Sequence, residues 1–381
     1  MSSRTALLLR AVGAVAAVIV VTACGSQASV PEAPNADAHA LPAATQTRLD
    51  DAIKRAMSDA AIPGVMVGIW SPAGDYVRSF GLADKTTNAL MRTDFYSRIG
   101  SVTKTFTVTA LLQLVDAGKL RLDDAVADYI AGVPAGGQIT LRELAQMRSG
   151  LKTYDDVPEL ANAFTADPER SFTPQELMGY VLDKPLEFAP GSQYQYSNTN
   201  TVLLGLVIEK QSGQHLADYI REHILDPLAL AHTSFPLTAD FHGPHPQGYT
   251  DLNGQEVNAT DWNPSWGWAA GNMISTLDDM RVWAKALATG TLLTPEMQRQ
   301  RLDTISPMNP EQTAFYGLGI FNAAGWLGHS GSVFGYQSVV VYLPEAQTTL
   351  VCFINTDVPH DASTTLARAI TTVISPDHVY R

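Results

Sequence analysis

Apolar side chains recur at helical spacing near the start of the chain and through most of its middle. Leu49, Ile53 and Met57 stand four residues apart and predict an amphipathic helix that ends before Pro63. Residues 101–314 carry mostly helical patterns. The helix signals in this middle part are the capping boxes Thr140/Glu143 and Thr173/Glu176 and the stretches 200–211 and 275–287.

Strand patterns lie towards both ends of the chain. Residues 64–71 and 75–84 flank a Pro-Ala-Gly turn and predict a hairpin. Four later segments also have strand patterns, namely 316–321, 325–329, 336–344 and 348–355. A final helix is predicted at 362–374. We therefore predict an α/β (α+β) fold, in which an antiparallel sheet from N- and C-terminal strands is flanked by helices and an all-helical subdomain is inserted.

The first residues differ from the rest. Arg4 and Arg10 precede an apolar run at 11–21 that leads into Val-Thr-Ala-Cys24, which resembles a bacterial lipoprotein signal. A plain secretory signal or a transmembrane anchor is the alternative, but the run is short for a membrane span. The expected parts are a signal peptide at 1–23, the lipidated Cys24 with a flexible tether at 24–44, and a folded domain at 45–381, with its sheet part at 45–100 and 315–381 and its helical part at 101–314.

Net charge and cysteine content limit the binding partners and the disulfide bonds that the sequence allows. Loss of residues 1–23 would remove two arginines and no acid, so the net charge of −13 would become −15. Such an acidic protein is not expected to bind nucleic acid. Apart from Cys24, the chain has one cysteine, Cys352, so no internal disulfide is expected and its predicted role is a small buried apolar group.

Ser101 and Lys104 open the segment 95–122, whose apolar positions predict a buried helix that Gly118 ends. A helix start offers unpaired N–H groups and the positive end of the dipole, which stabilise charge on a reacting carbonyl oxygen. At a spacing of three residues the two side chains share one helical face. An amine whose proton affinity is lowered by burial could take the serine proton, so the pair is a candidate nucleophile and base.

This spacing alone is a weak signal, because two fixed residues in four positions also occur by chance. A second copy, Ser149 to Lys152, contains Gly150, which indicates a helix exit. Rival motifs are missing from the sequence: it has no Gly-x-Ser-x-Gly, no His-Glu-x-x-His and no glycine-rich phosphate loop. His242 and His245 lack a clear third ligand, so we expect no metal and no cofactor.

Three short stretches then stand in a characteristic order: Ser101-Val-Thr-Lys104, Tyr196-Ser-Asn198 and His329-Ser-Gly331. Together they resemble the signature motifs of the penicillin-recognising serine enzymes, in the version with Tyr-x-Asn and His-x-Gly that marks class C β-lactamases and secreted D-alanyl-D-alanine carboxypeptidases. The likeness runs over nearly the whole mature domain, and it implies their fold and an acyl-enzyme mechanism.

The resemblance implies a role for each motif residue. Ser101 would be acylated, and Lys104 would accept its proton. Tyr196, with a phenol made more acidic by the nearby ammonium, would protonate the leaving group; its plain alternative is a core aromatic. Asn198 would hydrogen-bond the substrate amide and Lys104, unless it only caps a helix. His329 would support Tyr196 and the polar end of the substrate.

Substrate-binding groups are implied beside these residues. The oxyanion hole would use the backbone N–H groups of the nucleophile and of Ser332, with Ser330 and Gly331 on the same cleft strand. Trp266 belongs to segments that resemble the cleft walls, although ordinary packing is the alternative. Phe321 stands soon after Tyr-Gly-Leu-Gly, where carboxypeptidase relatives carry an Arg that binds the substrate carboxylate. Without that cation, apolar acyl groups are favoured over a D-alanyl-D-alanine terminus.

We therefore expect a serine hydrolase that acts on ester or amide bonds at the cell envelope and is more esterase-like than strictly peptidase-like. The alternatives are a D-alanyl-D-alanine carboxypeptidase or β-lactamase, and a non-catalytic envelope lipoprotein that binds peptide or lipid. The expected partners are small ester, amide, β-lactam or peptidoglycan-peptide substrates, and the membrane through a lipid on Cys24. The protein is expected to be a monomer outside the cytoplasmic membrane.

Overall fold

The structure, a computed structural model, describes residues 39–303, 306–307 and 314–381. Its helices are α1 Ala43–Asp59, α2 Thr103–Asp116, α3 Leu141–Ala145, α4 Pro158–Ala166, α5 Pro174–Gly179, α6 Asn198–Ser212, α7 Leu216–Ile220, α8 Trp268–Gly271, α9 Leu277–Thr289, α10 Pro295–Asp303 and α11 Ala362–Ile374. Its strands are β1 Gly64–Ser71, β2 Gly74–Asp84, β3 Ala89–Leu90, β4 Ser97–Arg98, β5 Tyr249–Leu252, β6 Gln255–Asn258, β7 Ile274–Ser275, β8 Ser306–Pro307, β9 Ala314–Tyr316, β10 Phe321–Ala323, β11 Trp326–Val333, β12 Tyr336–Leu343 and β13 Thr348–Ile354.

One large antiparallel sheet joins the two ends of the chain, as the sequence predicts. Its strand order is β3-β2-β1-β13-β12-β11-β10-β9-β8. The central contact pairs β1 with β13, where Val67 lies opposite Cys352. The predicted hairpin between β1 and β2 is confirmed, with Ser71 opposite Gly74 at its turn.

Each face of the sheet buries a separate apolar core. On one face, Leu49 of the terminal helix α1 and Leu366 of the terminal helix α11 share an apolar core with Cys352 of β13. Cys352 is a buried free cysteine, so its predicted role is confirmed. On the other face the larger core includes Phe106 of α2 and Leu204 of α6 from the inserted helical part. The predicted architecture, a sheet flanked by helices, is confirmed.

Two predicted boundaries are wrong. The folded part begins before residue 45, because α1 starts at Ala43 and Leu41 is already buried against the sheet. The segment 316–321 is not one strand: β9 ends at Tyr316 and β10 begins at Phe321. Between them the Gly317 N–H donates to the Ile320 carbonyl at 2.9 Å and closes a turn.

The inserted part is not all-helical either. The strands β5 and β6 form a hairpin around Asn253 and Gly254, whose φ angles are +57° and +81°. Asn-Gly is the residue pair that such a tight turn requires, so this hairpin was readable from the sequence. A second short pair joins β4 to β7, with Ser97 opposite Ser275, directly before the Ser-x-x-Lys segment. Within the described ranges, no helix is both long and apolar enough to cross a bilayer.

Candidate active site

The backbone around Ser101 is fixed from two sides. Ser101 lies in a short 3-10 turn, Gly100–Val102, that leads into α2. The strand β11 approaches this turn so closely that a Cβ on Gly331 would stand 2.0 Å from the Ile99 carbonyl oxygen. A Cβ on Gly100, whose φ is +50°, would stand 2.7 Å from the Ser332 nitrogen. Glycine is therefore required at both positions, and the backbone nitrogen of Ser332 lies beside the nucleophile segment.

Ser101 and Lys104 form a hydrogen-bonded pair, as the helical spacing predicts. The Lys104 Nζ donates to Ser101 Oγ at 2.9 Å and to the Ala270 carbonyl at 2.7 Å. The lysine is fully buried, and burial lowers its pKa to about 7, with the charge of Asp155 acting in the opposite direction. Near neutral pH a large fraction of Lys104 is thus a free amine with a lone pair that can accept the serine proton.

The second Ser-x-x-Lys copy has no such geometry. Ser149 is buried and donates to the side-chain oxygen of Asn200 at 2.6 Å. Lys152 forms an ion pair with Glu187 at 3.7 Å. The serine and the lysine have separate partners, so this copy is structural.

Tyr196 lies over the ammonium end of Lys104, with Nζ 4.9 Å from its ring centroid. The predicted acidic phenol is wrong: burial raises the pKa of Tyr196 well above its usual value, and this effect exceeds the opposing influence of Ser101. The hydroxyl has no partner in ordinary hydrogen-bond geometry among the described residues. Tyr196 is therefore a neutral proton donor with a free hydroxyl.

Asn198 does not contact Lys104 as predicted. Its Nδ2 donates to Asp155 Oδ2 at 2.7 Å, and its backbone N–H donates to Thr153 Oγ1 at 3.0 Å. Lys104 is turned towards Ala270 instead. The side-chain oxygen of Asn198 is buried and has no partner within the described part of the chain, so it can accept a hydrogen bond from a ligand.

His329 supports a different tyrosine from the predicted one. Its Nδ1 faces the Ser330 carbonyl and donates to it, which leaves Nε2 to accept from the Tyr316 hydroxyl at 3.3 Å. Burial, with a smaller contribution from Lys104, lowers its pKa to about 3, so the ring is neutral. The ring of Phe321 packs against it with 4.2 Å between centroids and a tilt of 32° between the ring planes. Phe321 therefore lies beside the motif histidine and makes this wall apolar.

The other residues predicted to line the cleft lie on β11 and point to different faces of the sheet. Gly331 faces the nucleophile segment, and the backbone of Ser332 lies next to it. The side chain of Ser330 alternates to the opposite face of the strand, towards Tyr380 near the C-terminus. Ser330 therefore supports the sheet and does not reach the substrate through its side chain.

An aromatic pocket of roughly 260 Å³ borders the site. Its walls include Phe164, Trp262, Trp266 and Phe334, so the structure places Trp266 in a concave apolar surface. Phe164 and Phe334 stack at 4.6 Å between ring centroids. Asp155 is the charged residue in this lining, and it belongs both to the pocket and to the Asn198 contact.

Sequence reasoning missed Asp155 and Tyr316. Asp155 lies in the 3-10 turn Tyr154–Asp156 next to another aspartate, which is ordinary surface composition, and its contact with Asn198 joins residues 43 positions apart. Tyr316 begins the Tyr-Gly-Leu-Gly segment, which was interpreted as part of a strand and used to place Phe321, while the tyrosine itself was given no role. An aromatic residue with a hydroxyl before a turn was its only available signal.

This arrangement suits acyl transfer. A hydroxyl nucleophile contacts a buried amine of lowered pKa, and a neutral phenol with a free hydroxyl lies across from them. In the part of the chain that the structure describes, no group of three or more His, Cys, Asp or Glu side chains could hold a metal ion.

The chain is similar to proteins of known structure and to proteins known by sequence. The D-stereospecific amidohydrolase from a Streptomyces species superposes with a TM-score of 0.77 and 28% identity, covering 88% of this chain and 98% of that one. The D-aminopeptidase of Brucella anthropi is 29% identical over 72% of this chain and 52% of its own length. PbpX of Bacillus subtilis (strain 168), whose name marks it as a candidate penicillin-binding protein, is 27% identical over 73% of this chain and 66% of its own length.

The chain thus spans less than two thirds of these two sequence relatives. The Beta-lactamase family matches residues 49–373, which contain Ser101, Tyr196 and His329 and nearly the entire folded part. The fold and the serine-lysine pair agree with that match. The chain belongs to the β-lactamase family of serine hydrolases.

Proposed function

We propose that this protein hydrolyses amide bonds of small amino-acid derivatives or short peptides that present a free ammonium group and an aromatic side chain at their N-terminus. The reaction proceeds through an acyl-enzyme on Ser101. The observation that supports this substrate class is Asp155, an acid at the border between the aromatic pocket and the serine-lysine pair.

The pocket and the acid select different parts of one substrate. The Asp155 carboxylate and the unpartnered oxygen of Asn198 are both acceptors, and an ammonium group supplies several N–H donors. The rings of Phe164, Trp266 and Phe334 offer an apolar surface to the side chain. A substrate with both features would lie with its carbonyl towards Ser101.

Each proton of the reaction then has a place. The free amine of Lys104 takes the Ser101 proton as Oγ attacks the carbonyl carbon, and the N–H groups of Ser101 and Ser332 stabilise the oxyanion. Tyr196 donates its proton to the leaving nitrogen and regains one from the Lys104 ammonium. The C–N bond breaks, the amine leaves, and a water molecule later releases the acid from Ser101 by the reverse proton path.

The names of two relatives support the D configuration for the residue that is acylated. The similar proteins include a D-stereospecific amidohydrolase and a D-aminopeptidase. The predicted ester preference stays a second candidate, because the aromatic pocket and the packing of Phe321 against His329 also suit an apolar acyl group without an amine.

Substrate selectivity tests the proposal. Wild-type protein should cleave D-phenylalanine p-nitroanilide with a higher kcat/KM than the L-isomer and than the desamino analogue, 3-phenylpropionyl p-nitroanilide. Asp155→Asn should lower kcat/KM for the amine substrate about 30- to 100-fold, the effect of losing one charged hydrogen bond, and leave the desamino substrate within a few fold.

A matched control is available in the next residue. Asp156 is exposed and is not part of the pocket, so Asp156→Asn removes the same charge and should leave the selectivity unchanged. Equal cleavage of the amine and desamino substrates by wild-type protein would favour the ester hydrolase instead.

We also propose that the protein is exported and anchored through acyl chains on Cys24; residues 1–38 lie outside the described residues. The Val-Thr-Ala-Cys sequence supports this. The mature protein should partition into detergent with a mass that includes lipid on Cys24. Cys24→Ser should abolish both, and an unchanged membrane fraction would contradict the anchor.

A further inference from the structure

We propose that the substrate activates its own catalytic base: its ammonium group, by pairing with Asp155, cancels the negative charge that faces Lys104 and so favours the free amine. This inference rests on the proposed function. It makes Asp155 a coupling residue between substrate recognition and the proton transfer from Ser101.

The geometry places Asp155 between the two events. On one side it lines the aromatic pocket, where a substrate would enter. On the other side its carboxylate is fixed by Asn198 Nδ2 at 2.7 Å and by the hydroxyl of Thr153. Asn198 starts α6, and α6 packs on the α2 helix that carries Lys104. Two hydrogen bonds therefore hold the Asp155 carboxylate at the border of the aromatic pocket.

The surroundings of Lys104 contain few charges. Its Nζ contacts the Ser101 hydroxyl and the Ala270 carbonyl of α8, and the Tyr196 ring covers it. From β11 it faces His329, which is neutral. Among the described residues the carboxylate that acts on Lys104 is Asp155. Neutralising Asp155 therefore removes the carboxylate charge that opposes deprotonation of Lys104.

The direction of the effect follows from the sign of the charges. The Asp155 carboxylate stabilises the ammonium form of Lys104 and works against burial, which favours the amine. A bound ammonium removes this stabilisation, so Lys104 loses its proton more readily in the complex than in the free enzyme. A substrate without an amine leaves the Asp155 charge in place, so the stabilisation of the Lys104 ammonium form is unchanged.

Comparing two pH profiles tests this coupling in the intact protein. The acid limb of kcat/KM reports Lys104 in the free enzyme, and the acid limb of kcat reports it with substrate bound. With D-phenylalanine p-nitroanilide the kcat limb should lie about one pH unit below the kcat/KM limb, the size expected for one charge several ångströms away in a protein interior. The substrate amine titrates near pH 8, above this window, and stays charged. With the desamino substrate the two limbs should coincide.

Variants give a second readout. In Asp155→Asn, the acid limb of the pH profile measured with the desamino substrate should itself shift down by about one pH unit, because the carboxylate charge is absent before substrate binds. Asp155→Glu keeps the charge and should keep the separation seen with the amine substrate, which guards against a folding defect in Asp155→Asn. The exposed neighbour Asp156→Asn should behave as wild type.

The outcomes separate this inference from the proposed function. If the amine substrate is preferred and its two limbs coincide, the coupling is wrong and the substrate class stands. If the amine substrate has no advantage over the desamino one, the proposed function itself is wrong. An unchanged desamino limb in a folded Asp155→Asn variant would also overturn the coupling.

Discussion

Replacing Lys104 with Ala should abolish acylation almost as completely as replacing Ser101 with Ala, with a loss of about 10⁴-fold or more in kcat/KM. The reason is that, among the described residues, Lys104 is the group in contact with the serine that can take its proton near neutral pH: its Nζ lies 2.9 Å from Oγ, and the nearby Tyr196 is a neutral acid. Residues that act as one unit show non-additive losses, so the double variant should be no worse than either single variant.

A matched control comes from the second Ser-x-x-Lys copy. Lys152 forms its ion pair with Glu187 at the protein surface and has no contact with Ser149, so Lys152→Ala should keep nearly wild-type kinetics. Stopped-flow release of p-nitrophenol from an activated ester would measure acylation directly. A Lys104→Ala protein that retains most of this burst would show that another group is the base.

Tyr196→Phe should produce the second-largest loss, and the loss should depend on the leaving group. An amine leaving group must be protonated as it departs, whereas p-nitrophenolate can leave without a proton. Removal of the Tyr196 hydroxyl, which has no hydrogen-bond partner among the described residues, should therefore lower amide hydrolysis about 10²- to 10³-fold, within the range for general acid catalysis, and ester hydrolysis far less.

Comparing matched amide and ester substrates of D-phenylalanine in both proteins measures this difference. Tyr194→Phe is the control, because its buried hydroxyl also has no partner among the described residues and its ring lies 5.8 Å from that of Tyr316. Equal losses for amide and ester in Tyr196→Phe would mean that this tyrosine orients Lys104 and does not deliver the proton.

The parts of the site that depend on local spacing could be predicted from the sequence. Ser101 and Lys104 lie three residues apart on one helical turn, so their contact follows from helix geometry once the segment is recognised as helical. The lowered pKa of Lys104 follows from the apolar surroundings that the same pattern predicts. The order of strands from both chain ends likewise gives the antiparallel sheet.

The parts that depend on contacts between distant segments could not. Lys104 bonds a carbonyl 166 residues away, at Ala270, and this contact replaces the predicted one with Asn198. Asn198 in turn is bound by Asp155, which no periodicity or motif marks. A side chain with several possible partners bonds to groups that only the folded chain brings close to it. Contacts assigned to motif residues from the sequence alone are therefore especially prone to error.

His329 shows the same limit in its electrostatics. Its place in the motif could be read from the sequence, but its protonation depends on full burial and on the nearby amine, which together keep the ring neutral. The hydrogen bond from Tyr316 also follows from the turn that separates β9 from β10, which sequence reasoning read as one continuous strand.

Formation of an acyl-enzyme on Ser101 is tested most directly by intact-protein and peptide mass spectrometry after exposure to a fluorophosphonate probe or to an activated ester of D-phenylalanine. We expect one covalent adduct, located on Ser101, in the wild-type protein, and little or none in Ser101→Ala or Lys104→Ala. An adduct on another residue, or persistent absence of any adduct in folded wild-type protein, would contradict it.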